Sequence, residues 1–157
     1  MHYKNPLNWQ SLYEPALRNV AQQCKYQLTE KNYADAISIL CEYNTRINPR
    51  EKEVSSDYIW SRILDSWNKE ILDLVMCKEA FYSFFRNECF IYSDVLEFLS
   101  YLRVKKIKTA TLSDVPYGLE NKYALEDISD IIEYIDLPYT SNGLCQDSFA
   151  KLISAVW

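Results

Sequence analysis

A chain of 157 residues, 48% of them apolar, is long enough for one domain, or for a small core carrying a helical insert, and can bury most of its apolar surface. Its formal charge of -5 argues against nucleic acid as a partner, because phosphate binding takes clustered positive charge. No apolar run approaches the roughly 20 residues of a membrane span, and MHYKNPLNWQ has no apolar core behind its Lys, so a cytoplasmic protein with no membrane partner is expected.

The first half reads as helical. Pro15 suits a first helical turn, and Ala16, Leu17, Val20 and Ala21 continue one apolar face that ends near Cys24. Asn32 is placed as the cap of a second helix, with Ala36, Ile37, Leu40, Cys41 and Ile47 at helical spacing and Asn48-Pro49 as its breaker. A third begins at Ser55-Ser56-Asp57 and carries the stripe Ile59, Trp60, Ile63, Leu64, Trp67, Ile71, Leu72 and Val75. Helices with one apolar face each must pack together, so a bundle is expected here. Trp60, Trp67, Phe81, Tyr82, Phe84 and Phe85 have the spacing of core packing, which is preferred over a ligand pocket.

From Asp94 the pattern changes. Val95, Leu96, Phe98, Leu99 and Leu102 predict a helix ending at Arg103, and Lys105, Lys106 and Lys108 follow as a solvated basic turn that complements the helix dipole. The run 107–112 predicts a buried strand, with Ile107, Thr109 and Thr111 on one face and Lys108, Ala110 and Leu112 on the other. Residues 123–132 predict a helix and 134–139 a second strand. A strand, helix, strand succession in about 30 residues is a crossover between parallel strands. Phe149, Leu152, Ile153 and Val156 predict a closing amphipathic helix.

Two glycines leave no Gly-rich phosphate loop. Cys24, Cys41, Cys77, Cys89 and Cys145 form no C-x-x-C pair, and His2 is the single histidine, so neither a zinc site nor a Cys–His nucleophile is expected. The thiols read as reduced, buried small hydrophobes. Glu126, Asp127 and Asp130 read as a solvated helical face, not a metal site.

Residues Tyr92-Ser93-Asp94-Val95, Phe98 to Leu102, and Ile107 to Asp114, followed by Val115-Pro116-Tyr117-Gly118 and by Tyr134 to Ser141, resemble the haloacid dehalogenase-like (HAD) hydrolase superfamily. The likeness lies in the stretch leading into the family's second motif, an apolar strand ending in Ser or Thr. It implies an α/β fold, mostly helical overall. A helical cap bundle over residues 1–90 would join a partial Rossmann-like core with few parallel strands over residues 91–157. In the family, a first-motif Asp attacks the substrate, a second Asp is general acid/base, the second-motif hydroxyl binds the transferring group, a third-motif Lys neutralises charge, and fourth-motif acids hold Mg²⁺.

Carried over residue by residue, the resemblance gives Ser113 as the phosphate-side hydroxyl, with the backbone N–H groups of Asp114 and Val115 beside it. Without the family pattern, Ser113 reads as a residue that closes a strand. Gln146 stands where the third-motif Lys would be, and Lys151 lies a turn beyond. MHYKNPLNWQSLYEP contains no Asp, so the D-x-D-x-T nucleophile is missing, and no fourth-motif acids follow. No catalytic residue, metal ligand or cofactor is therefore assigned, although relatives use Mg²⁺. The expectation is a truncated or degenerate hydrolase relative of the phosphatase or dehalogenase type with little or no activity, facing a phosphorylated small molecule. The alternative is a non-catalytic interaction module. In the family fold the first strand lies beside the strand of residues 107–112, so its loss would leave an edge open to self-association or to a strand from a partner chain.

Overall fold

The computed structural model describes residues 2–3, 9–49, 54–87, 89–113 and 116–140. They form a mostly helical protein with one small parallel sheet. The backbone separates into a helical unit, residues 2–90 with 116–118, and a sheet unit, to which residues 91–113 and 119–140 belong.

The helical unit is built from α1 (Tyr13–Gln23), α2 (Glu30–Glu42), α3 (Ser56–Ser66) and α4 (Leu74–Arg86). Helix α1 packs on α2 and α4, and α3 packs on the same two, which closes the bundle. The expected face of α1 is buried through Ala16, Leu17, Val20 and Ala21. Trp60, Phe81, Tyr82 and Phe85 are fully buried and Trp67 nearly so. Trp60 meets Phe81 edge to face at 5.2 Å, a geometry that adds quadrupole attraction to the burial. This stripe is core.

Helix boundaries depart from the sequence reading where polar groups compete for the backbone. Thr29, not Asn32, caps α2: its hydroxyl accepts from Asn32 N at 3.3 Å while Asn32 Oδ1 accepts from Thr29 N at 3.0 Å. Asn44, not Asn48-Pro49, turns the chain after α2. Its side-chain carbonyl accepts from Arg46 N at 2.9 Å and its backbone carbonyl accepts from Ile47 N and Asn48 N, which leaves Ile47 exposed outside the helix. The long third stripe breaks at Asn68, so Ile71, Leu72 and Val75 fall on a 3-10 turn and on α4. Leu72 is 84% exposed. The stripe ran on in sequence but not in space.

Three helices stop by one device. Lys25, Asn68 and Lys106 take φ of +56°, +53° and +55°. In each case the carbonyls one and two residues before the last helical residue accept from the N–H of the left-handed residue and of the one after it, as Arg103 O does from Lys106 N and Leu102 O from Ile107 N, both at 3.0 Å. Glycine is the usual residue at this left-handed position. A chain with two glycines uses Lys and Asn there, at about 1 kcal/mol each.

In the sheet unit, α5 (Val95–Val104) is followed by β3 (Ala110–Ser113), α6 (Asn121–Asp127), a 3-10 helix (Ser129–Tyr134) and β4 (Leu137–Thr140). Two earlier strands, β1 (His2–Tyr3) and β2 (Cys89–Phe90), pair antiparallel in the helical unit, so the backbone of His2 is held in a ladder and not frayed. Strands β3 and β4 are parallel in the register Ala110↔Leu137 to Ser113↔Thr140. The expected strand of residues 107–112 is shorter and less buried than its sequence suggested. The terminal motif of α5 consumes residues 105–107, Ile107 is 51% exposed, and Leu112 is 60% exposed. The small core is Leu99, Ile128 and Ile131, with Val95, Leu102 and Ile135 against it. The helix expected over residues 123–132 is interrupted at Ile128, where the α-helix gives way to the 3-10 turn.

Residues Pro116–Gly118 belong to the helical unit. Tyr117 and Gly118 both have positive φ, +54° and +64°. A Cβ on Gly118 would lie 2.2 Å from Val54 O and 2.6 Å from Ser56 N, at the amino end of α3, where backbone cannot yield. Gly118→Ala should therefore cost about 3 kcal/mol or more, as overpacking and left-handed strain combine. Denaturant unfolding followed by tryptophan fluorescence, which reports Trp60 and Trp67, reads that loss; a change below about 1 kcal/mol would contradict the cradle geometry.

Candidate functional site

The carboxyl ends of β3 and β4 bring two hydroxyls together. Ser113 and Thr140 are register partners, so both project to the same face of the two-stranded sheet. Ser113 is half-buried and Thr140 is buried. The Thr140 hydroxyl donates to Asn121 Oδ1 on the first residue of α6, a helix that packs on β4. The strand-helix-strand connection thus returns its second hydroxyl beside the first. Sequence reasoning singled out Ser113 but not Thr140 or Asn121; the parallel register is what joins them. Asp114, Val115, Gln146 and Lys151 lie outside the described residues.

The opposite end of the same strands is charged. Arg103, Lys106, Ile107 and Lys108 line an open cleft of about 480 Å³ with residues 133–136. Its cations are largely answered: Arg103 pairs with Glu133 at 3.4 Å and stacks over the Tyr134 ring, and Lys108 Nζ donates to Asp136 Oδ1 at 2.7 Å. The basic run is a paired, solvated surface at the amino ends of the strands, whereas ligands of open α/β sheets sit at the carboxyl ends. Among the described residues no three His, Cys, Asp or Glu side chains converge as metal ligands. Glu126 and Asp130 are exposed and Asp127 is half-buried.

Asp136 sets the register of the pair. Its carboxylate accepts from Thr109 N at 2.9 Å and from Lys108, while Asp136 N and Leu137 N both donate to Thr109 O, at 3.0 and 3.2 Å. A one-residue slip of β4 would break all four bonds and carry Thr140 away from Ser113.

Two polar features of the helical unit escaped sequence reasoning. Lys78 has a side chain only 6% exposed, with Nζ 2.5 Å from Asp57 Oδ1 in the first turn of α3. Its place on the stripe Lys78, Tyr82, Phe85 is the signal that could have found it. Tyr13 and Tyr117 share a hydrogen bond between their hydroxyls, Asn44 Nδ2 donates to Tyr13 Oη at 2.7 Å, and the Tyr82 hydroxyl donates to Tyr117 O at 3.0 Å. Burial pushes both phenols above their ordinary range, Tyr117 furthest, so they stay protonated.

No protein-family model matches this chain, and no curated protein matches it in sequence.

Hydrogen bonds from Lys108 and from the Thr109 N–H hold the Asp136 carboxyl below its ordinary pKa. The folded carboxyl therefore releases its proton more readily than the unfolded one. Its stabilising contribution is present above about pH 4 and is lost as pH falls through the folded value. Asp136→Asn should flatten the acid limb of the stability curve and lower stability at pH 7. Urea midpoints measured from pH 2 to pH 7 check this; identical limbs for variant and parent would remove the role given to Asp136.

Proposed function

We propose that this chain is a degenerate relative of the HAD hydrolases, a helical cap with a partial Rossmann-like core, that presents a phosphate-side hydroxyl without the groups that cleave the ester. The observation that supports this reading is the parallel pairing of β3 with β4, which sets Ser113 beside Thr140 at the strands' carboxyl ends. That is where a second-motif hydroxyl serves in the family, and where a phosphorylated small molecule would meet Ser113.

The chemistry of ester cleavage asks for more than a hydroxyl donor. An in-line carboxylate must attack phosphorus, and positive charge must compensate the equatorial oxygens as negative charge develops. No Asp stands two residues from another anywhere in the sequence, so the D-x-D pair of nucleophile and general acid is missing from these residues. A covalent mechanism without its nucleophile loses the step and not merely some rate. Ser113 then acts as a binding donor.

A second reading is an interaction module. Among the described residues β3 pairs with β4 alone, and Leu112 on β3 is exposed. A third strand could pair with β3 on the side away from β4 and place its own side chains next to Leu112.

The first reading expects no Mg²⁺-dependent hydrolysis of an aryl phosphate by the full chain above the buffer rate; turnover that disappears in Ser113→Ala would overturn it. The second expects a solution mass that rises with concentration by light scattering, and a stable monomer at high concentration would dismiss self-association through the edge.

A further inference from the structure

The helical unit holds a second chemical feature, independent of the phosphate-side reading. Cys24 Sγ and Cys77 Sγ lie 3.5 Å apart. They come from elements that pack on each other: Cys24 closes α1 and Cys77 sits in the first turns of α4. Two helices are pinned together beside them, where Asn19 Nδ2 on α1 donates to Ala80 O on α4 at 2.8 Å. Contact between sulfurs alone is what two small apolar side chains make in any core. Burial distinguishes the two thiols, because Cys24 is half-buried while Cys77 is fully buried. Cys41 accepts from Gln10 Nε2 at 3.6 Å.

We propose that Cys24 and Cys77 form a reversible redox pair that closes to a disulfide when the protein meets a low-molecular-weight disulfide and reopens in excess thiol. The sulfurs need to approach by about 1.5 Å to reach the roughly 2.05 Å of an S–S bond. The Cys24 thiolate attacks one sulfur of the reagent, which breaks its S–S bond, forms a mixed disulfide and expels one thiolate. Cys77 then attacks Cys24 Sγ, which forms the Cys24–Cys77 bond and expels the second thiolate. The two protons of the protein thiols end on the two expelled thiols, so two electrons pass from the protein to the reagent.

The order of attack follows from the surroundings. Burial raises both thiols, and together with the neighbouring Cys24 thiol it pushes Cys77 up to about 12, so Cys77, the more buried of the two, is the poorer entry point and the resolving thiol. Cys77 Sγ also lies 3.8 Å from the Tyr26 hydroxyl, which donates to Asp73. The bond would link residues 53 apart in sequence and tie the end of α1 to α4. Such a long loop is the case in which a cross-link most restricts the unfolded chain.

The test equilibrates the full chain in buffers of increasing oxidised-to-reduced glutathione ratio, quenches with acid and alkylates the remaining thiols. Intact mass and peptide mapping then read the products. The expected result is loss of the mass of two hydrogens, one cross-linked peptide joining Cys24 to Cys77, a thermal midpoint raised by several degrees, and reversal by dithiothreitol. Cys77→Ser should stop at a glutathione adduct on Cys24, and Cys24→Ala should leave Cys77 unmodified with no oxidant-dependent midpoint. Should either variant fold poorly, the parent chain still decides the matter. Both thiols free to alkylation in the most oxidising buffer, a lasting adduct on Cys24 of the parent, or linkage through any other cysteine would each overturn the proposal.

Discussion

The helical unit turns on one inserted tripeptide. Tyr117 brings a phenol into a largely aromatic and aliphatic core that also buries Asn44, Ser56 and Lys78, and a buried hydroxyl without a partner costs about 1–3 kcal/mol. Tyr13, Asn44 and Tyr82 supply partners to its side chain, to that side chain's own neighbour and to its backbone carbonyl. Gly118 lets the backbone come against Val54 and Ser56 where no side chain would fit. The aromatic edges that surround Tyr117, from Tyr13 at 5.9 Å and Phe81 at 6.3 Å, are positioned by this insertion.

Several other buried polar groups in the unit are also partnered. Lys78 would be costly inside the bundle, yet Asp57 meets it from the amino end of α3, where a carboxylate is also favoured by the helix dipole. The Trp67 indole N–H donates to Asn32 O at 2.9 Å and so joins α3 to α2 by a directed bond as well as by apolar contact. Such bonds choose one arrangement of four amphipathic helices among the several that burial alone would allow.

The sheet unit works with less. Its apolar core is small and its sheet has two strands, so alignment falls to Asp136 and Thr109 at one end and to the Thr140–Asn121 bond at the other. Function, in the reading favoured above, depends on that alignment, because a hydroxyl at a strand end has meaning only if the second strand ends beside it. Residues 113 and 140 stand in register through backbone pairing, while the chemistry they offer is that of donors and acceptors.

Much of this was legible in the residues. The helical first half, the buried aromatic stripe and the parallel strand pair follow from periodicities of 3.6 and 2, which are local properties. Local signals failed where two segments had to meet. Ile71, Leu72 and Val75 extend an apolar period that the turn at Asn68 cuts, and Ile107 is drawn into a helix end instead of a strand, because its N–H donates to the otherwise unpaired Leu102 carbonyl there. The pairing of Ser113 with Thr140, of Lys78 with Asp57, of Tyr13 with Tyr117 and of Cys24 with Cys77 left no trace in spacing. Which helices and strands form is written in short windows of sequence; which polar atoms end up as neighbours was decided only when segments distant in the chain packed and their buried polar groups met.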